Sequence, residues 1–229
     1  MSRITRFLSL PFASLVFCSL LYAQDGTELL RTPAKEMNPK GGWIQTEKPL
    51  TLASLKGKVV LVRFWTDGCH WCLSTAPALK EFHETYAAKG LAVIGMYTPK
   101  PPRDATADEV RGFAEKFGFA FPIGLDNDHA VLGRWWLAPQ GRRLDRPFTS
   151  VGFLIDRKGL IRKIHPGPEF YPSDDPEHAK ANKDYLDMKK VVEDLLAEPD
   201  EVGGSERGSV RASTTPTPST PTSKESDPH

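Results

Sequence analysis

The sequence predicts an α/β domain with a mixed central sheet flanked by helices, on three observations. Apolar runs alternate with stretches of helical periodicity in the order strand, helix, strand, helix, hairpin, helix. That order joins parallel crossovers to an antiparallel hairpin. Polar stretches rich in Pro and Gly or in Ser, Thr and Pro bound this block on either side. Within it, the apolar strand Val59–Trp65 passes through the polar turn Thr66-Asp67-Gly68 into Cys69-His70-Trp71-Cys72, where a helix begins.

The chain of 229 residues is long enough for one full domain with appendages. Its formal net charge of +1 gives no overall field for nucleic acid or anionic membranes, and no nucleic-acid partner is expected. Residues 1–23 read as a secretory signal, with Arg3 and Arg6 before an apolar stretch from Phe7 to Tyr22 and Ala23 ahead of Gln24. Leu21, three residues before the cleavage point, departs from the small-residue pattern, so the alternative is an uncleaved N-terminal anchor. Only in that case does the chain reach a membrane. Phe17 stands before Cys18 where lipid attachment wants a small residue, so Cys18 is taken as leaving with the signal. The exported chain then keeps two cysteines, in a compartment where disulfides persist. Residues 24–42 form a polar lead-in. Residues 199–229 are expected to be a disordered Ser/Thr/Pro-rich tail, since they hold too few apolar groups to offset ordering entropy. A glycosylated or wall-spanning stalk has the same composition.

The domain is placed at residues 43–198. Leu50-Thr51-Leu52 reads as short and extended, and Val59–Trp65 as a buried strand. The helix from Cys69 carries Leu73, Ala76, Leu79, Phe82 and Tyr86 on one face, contains Pro77, and ends at Gly90. Leu91–Tyr97 is the next buried strand. The Pro-rich loop Pro99-Lys100-Pro101-Pro102 leads to a helix with Val110, Phe113, Ala114 and Phe117 inward. Phe121–Gly124 reads as an edge-like strand. Asp126-Asn127-Asp128 caps a segment with Val131, Leu132, Trp135 and Trp136, of which one tryptophan is expected in the core and one exposed. Ser150–Asp156 and Leu160–His165 flank Arg157-Lys158-Gly159 as a hairpin, and His165-Pro166-Gly167-Pro168 as a polar loop. The last helix presents Tyr185, Met188, Val191, Val192, Leu195 and Leu196.

Cys69 at a helix N-terminus has unpaired backbone N–H groups and the positive end of the helix dipole to stabilise its thiolate, the nucleophile of disulfide exchange. The i,i+3 spacing brings the Cys72 sulfur to the same helix face. A structural zinc site would need a second pair of ligands, which this sequence does not supply at zinc spacing. An inert disulfide closing so short a loop would constrain the unfolded chain little.

Together the run from Pro49 to Trp65, Cys69–Cys72, Pro77, Val93–Tyr97, Phe121–Asp128 and Phe153–Gly159 resemble the thioredoxin-like superfamily. Within it they are most similar to the exported TlpA-like or redoxin thiol–disulfide oxidoreductases. The resemblance covers roughly residues 43–196. It implies a thioredoxin-like fold, a redox-active disulfide in place of any metal, flavin or nucleotide cofactor, and partners that are protein thiols or disulfides with a membrane or exported redox partner. It makes Cys69 the attacking and Cys72 the resolving cysteine, and sets Trp65 beside the site. The sequence departs from the family's pattern at His70-Trp71 between the cysteines, where a proline-containing pair is commoner. A protonated His70 would favour the Cys69 thiolate and so an oxidising pair. Arg63 stands six residues before Cys69, where many thioredoxins carry a buried acid, and is either a stabiliser of a nearby anion or paired with an unidentified acid. Ser150 stands where the family has its cis-proline. Either Pro147 is shifted into that place or Thr149-Ser150 forms it without proline. A peroxiredoxin-like peroxidase is the alternative activity: Thr66 matches part of Pro-x3-Thr-x2-Cys, but Val62 takes the proline position. A Cu(I)-binding module using Cys69, Cys72 and either His70 or His165 is the non-enzyme alternative.

Overall fold

The computed structural model describes residues 25–199 apart from Arg142, Arg143 and Pro147. The signal segment, Cys18, Pro147 and the C-terminal tail lie outside the described residues. Nine regular elements follow in chain order: β1 Trp43–Ile44, β2 Val59–Trp65, α1 His70–Tyr86, β3 Leu91–Tyr97, α2 Ala107–Phe117, β4 Ile123–Leu125, β5 Gly152–Ile155, β6 Ile161–His165 and α3 Ala179–Ala197. The sheet has the order β1-β4-β3-β2-β5-β6. Strands β2, β3 and β4 run parallel, while β1, β5 and β6 pair antiparallel with their neighbours. This is the mixed sheet that the element order predicts.

Strand β2 is central and every one of its residues is buried, which is why it reads as an unbroken apolar run. Alternate residues serve two cores. Val59, Leu61 and Trp65 join Leu79 and Phe82 of α1, Val110 and Ala114 of α2, and Tyr185, Met188 and Val192 of α3. Val60, Val62 and Phe64 face the other way, onto Val131, Leu132, Trp135 and Trp136 and onto Leu29 and Met37 from the lead-in. Phe64, Trp135 and Phe153 meet edge to face, with centroid separations of 5.2–6.2 Å. Residues 25–42 are joined to the hairpin: Arg31 N–H donates to the Ile161 carbonyl at 2.7 Å, and Met37 is fully buried.

Three local expectations are corrected. β4 is not at the edge, because the two-residue β1 pairs outside it through Trp43–Gly124 and Ile44–Ile123. Leu50–Leu52 is not a strand; it enters a run of turns held by Leu55 N–H to the Leu52 carbonyl. Trp135 and Trp136 are both buried. The chain after β4 winds as a short α-turn, Ala130–Leu132, and then a wider π-helical turn, Gly133–Leu137. The wider turn places successive indoles on the sheet instead of alternating them with solvent.

Arg63 sits in mid-strand, with Gly95 of β3 and Gly152 of β5 as its cross-strand partners. The two glycines leave different spaces. A Cβ at Gly95 would lie 2.9 Å from the Trp65 indole nitrogen and 3.2 Å from Ile123 and Phe121. A Cβ at Gly152 would make only ordinary contacts, with His165 at 3.7 Å and Arg63 at 3.8 Å. The indole therefore fills the β3 side, and the Arg63 side chain leans toward β5 and β6. Gly95→Ala is expected to lower stability by about 1–3 kcal/mol through overpacking, read as a lower urea midpoint at unchanged m-value. Gly152→Ala should cost distinctly less. Equal midpoints would contradict this packing.

Candidate active site

The site forms where β2 ends. Gly68 takes the left-handed conformation (φ 63°) in the turn after it, which favours glycine. The chain then enters α1 with Cys69 as its N-cap, at φ −92° and ψ 105°. The Cys69 sulfur does what a serine or aspartate oxygen does at other helix starts: it accepts the backbone N–H of Cys72, at 3.3 Å. An accepted N–H at the positive end of a helix favours the charged sulfur. Cys72 lies one turn on and is buried, whereas Cys69 is partly open to solvent. Both are free thiols, so this is the dithiol form.

Ser150 closes the arrangement from the strand side. Its hydroxyl is 3.6 Å from the Cys69 sulfur and 3.3 Å from the Cys72 sulfur. The Cys69 pKa falls to about 5, chiefly because the Cys72 thiol donates to it, with help from Ser150, the Cys72 N–H and the positive charge of Lys100; burial opposes the shift. Cys72 moves up, because it donates to Cys69 and because it is buried; Arg63 pulls the other way. The two shifts describe one event. The sulfurs share a single proton, which resides on Cys72, and the negative charge resides on Cys69.

The predicted residues separate into two groups. Thr66, Cys69, His70, Trp71, Thr149 and Ser150 line one open groove of about 630 Å³, together with Lys100 and Phe148. Trp65 and Arg63 lie behind it. Trp65 packs against Tyr97, Phe117 and Phe119 at 5.1–5.2 Å, in the same core cluster as Cys72. Thr66 hydrogen-bonds to the Asp67 carboxylate at 3.3 Å. His70 is exposed at the groove, and Lys100, from the Pro-rich loop, brings a positive charge that acts on Cys69. Trp71 is 44% exposed and meets the Phe148 ring edge to face at 5.7 Å. At the cis-proline position of the family's pattern, the Ser150 hydroxyl reaches both sulfurs.

The paired-acid alternative for Arg63 is not met among the described residues, and His165 departs from expectation. Arg63 is buried, and among the described residues its partners are not an acid. One guanidinium nitrogen donates to the Pro168 carbonyl at 2.6 Å, another faces His165 Nδ1 at 3.5 Å, and the Phe170 ring lies 5.5 Å away. His165 is buried at the end of β6 and not in a polar loop; its Nε2 is 3.3 Å from Asp184. Arginine can only donate, so Nδ1 is the bare nitrogen and Nε2–H points to Asp184. Burial also pushes His165 down, toward this neutral form. Phe148, Lys100 and Asp184 carry no signal in the sequence, since each reaches the site or its backing from a loop or helix distant in the chain.

The redoxin family model matches residues 37–182. Protein DipZ of Mycobacterium tuberculosis is 34% identical over 151 residues, which are 64% of this chain and 20% of DipZ. Thiol-disulfide oxidoreductase ResA of Bacillus thuringiensis is 28% identical over 114 residues, 50% of this chain and 58% of ResA. The chain thus spans only part of the length of these relatives. A solved thiol:disulfide interchange protein of the thioredoxin family from Chlorobium tepidum superposes with a TM-score of 0.53 at 22% identity, covering 72% of this chain and 97% of its own. That similarity shows a thioredoxin-like fold.

Two outcomes follow from the shared proton. Iodoacetamide should alkylate Cys69 of the reduced protein with a midpoint near pH 5, well below the ~8.5 of a free thiol. The depressed pKa also stabilises the folded dithiol form above the unfolded value, a gain lost as pH falls through the folded one. Ser150→Ala should raise the alkylation midpoint by about one unit, since one donor to the thiolate is gone. A midpoint near 8 in the natural protein would contradict the geometry.

Proposed function

The chain belongs to the redoxin family, and from that premise we propose that it is a thiol–disulfide oxidoreductase acting on protein thiols and disulfides outside the cytoplasm. The observation that carries the reading is the sulfur pair at the start of α1, with one partly exposed anionic sulfur and one buried protonated sulfur bridged by Ser150. Cys69 is the sulfur that a partner can reach. In the reducing direction its thiolate attacks a partner disulfide and forms a mixed disulfide; Cys72 then loses its proton, attacks Cys69 and releases the reduced partner. The oxidising direction is the reverse. The pair carries both electrons, so the reaction calls for no cofactor.

The groove supports a polypeptide partner. Trp71 and Phe148 offer an aromatic edge beside Cys69, and Lys100 adds a positive charge. Export rests on the signal-like residues 1–23 and on an exported chain whose two cysteines are this pair. Among the described residues no helix is long and apolar enough to cross a membrane, so an anchored form would depend on the N-terminal segment. The peroxidase alternative has less support. The Thr66 hydroxyl turns to Asp67, and Val62 is a buried strand residue where a peroxide site has proline.

Cys69→Ser should abolish acceleration of insulin reduction by dithiothreitol, and Cys72→Ser should accumulate mixed disulfides with client proteins. Peroxide consumption at the same protein concentration should stay slow. Rapid peroxide turnover with a sulfenic acid on Cys69 would replace this reading with the peroxidase one. Stoichiometric Cu(I) binding without exchange would replace it with the binding module.

A further inference from the structure

Arg63 occupies the heart of the sheet without a carboxylate. It is 1% exposed, its Nε is buried without a hydrogen-bond partner, and its other contacts are a carbonyl, a neutral imidazole and a ring face. A buried cation so poorly compensated costs several kcal/mol unless an anion faces it. The groups packed around it identify that anion. Phe170, whose ring lies against the guanidinium, donates its N–H to Thr75 Oγ1 at 3.3 Å, one turn along α1 from Cys72. Phe170 and Cys72 share one core cluster. Arg63 thus lies between the ends of β5 and β6 and the first turns of α1, behind the buried sulfur.

We propose that Arg63 is the positioning residue for Cys72, holding the negative charge that arrives on its sulfur whenever the Cys69–Cys72 disulfide is opened. The inference rests on the exchange reading above and adds the residue that controls the leaving sulfur. The step balances. A thiolate attacks the Cys69 sulfur, a new S–S bond forms to Cys69, the Cys69–Cys72 bond breaks, and its electron pair stays on Cys72 as a thiolate. The attacking sulfur is oxidised and the Cys72 sulfur is reduced, while Cys69 stays in the mixed disulfide, and no proton moves in that step. In a buried, largely apolar place that thiolate would be a poor leaving group, and the rate of exchange depends on how well the leaving sulfur carries charge. Arg63 cannot accept a proton, as an acid at this position would. It supplies fixed charge, which acts on Cys72 and next on Cys69.

The ionisable groups facing Arg63 come from three elements: Cys69 and Cys72 of the α1 start, His165 of β6, and Asp184 of α3 through His165. Lys180 pairs with Asp184 at the surface. This chain holds the guanidinium in place from behind. His165 accepts from it, and Asp184 fixes the His165 ring by accepting the other proton. Neither contact neutralises Arg63, which leaves its charge to the sulfurs.

The test is the rate at which dithiothreitol opens the oxidised protein, followed by stopped-flow tryptophan fluorescence. Arg63→Gln should slow opening about tenfold, as a leaving thiol of roughly two units higher pKa requires at a Brønsted slope of about 0.5. Arg63→Lys should stay within about threefold, because it keeps the charge. In a Cys69→Ser background, Arg63→Gln should also raise the pH midpoint of Cys72 alkylation. Unchanged opening in Arg63→Gln would overturn the proposal, as would Arg63→Lys as slow as Arg63→Gln, which marks a role in packing alone. Should Arg63→Gln fail to fold, Asp184→Asn at the partly exposed end of the chain decides: about threefold slower opening is expected from loosening the network, and no change overturns it. Dithiothreitol is not a client, so a protein inactive toward insulin can still show the Arg63 dependence, and the two readings fail separately.

Discussion

Two sulfurs that close a disulfide on oxidation must also sit together as a dithiol, and at that distance they hold one negative charge between them, not two. The rest of the site follows from where the charge is kept. The helix start, the Cys72 N–H, the Ser150 hydroxyl and Lys100 all favour charge on Cys69, and Cys69 is the sulfur open to the groove. The hydrogen bond that Cys72 donates to Cys69, and then burial, keep the proton on Cys72. In the proposed exchange, nucleophile and resolving thiol are therefore distinguished by their environments. The order of events in exchange follows from that asymmetry.

Holding Ser150 against both sulfurs is the task of the second core. The Asp126 carboxylate accepts the N–H groups of Val131 and Leu132 at 2.9 and 2.8 Å and starts the winding turn that follows. That turn drives Trp136 into the sheet, and the Trp136 indole N–H donates to the Phe148 carbonyl at 2.7 Å, two residues before Ser150. Arg146 stacks over the Trp136 ring at 3.7 Å and pairs with Glu28 of the lead-in. The serine is thus placed by a continuous run of contacts from the end of β4 through the indole to the start of β5. The same run ties residues 25–42, polar in sequence, to the active-site loop.

The elements with strong local signals were legible. Val59–Trp65, Leu91–Tyr97 and the closing helix have unbroken or clearly periodic apolar patterns, and the cysteine pair stands at a strand-to-helix junction that sequence alone locates. Ser150 was also within reach, because its distance from Phe153 could be counted along the chain. What escaped depends on three-dimensional neighbours. His165 looks polar in sequence, yet it is buried because Arg63 and Asp184 flank it. Trp135 and Trp136 break helical alternation, and only a π-helical turn lets both face inward. Lys100 and Phe148 lie in loops whose course periodicity does not fix. Lys100 nevertheless brings its positive charge to bear on Cys69 from such a loop.

The count of protons taken up when the disulfide is reduced tests the shared-proton account most directly. The measurement is the equilibrium reduction potential of the Cys69–Cys72 pair against glutathione between pH 6 and 8. With Cys69 remaining a thiolate and Cys72 alone protonated, the potential should fall by about 30 mV per pH unit for this two-electron couple. A fall of about 59 mV per unit, the value for two protons per two electrons, would mean that both sulfurs are ordinary thiols at neutral pH and would contradict the account.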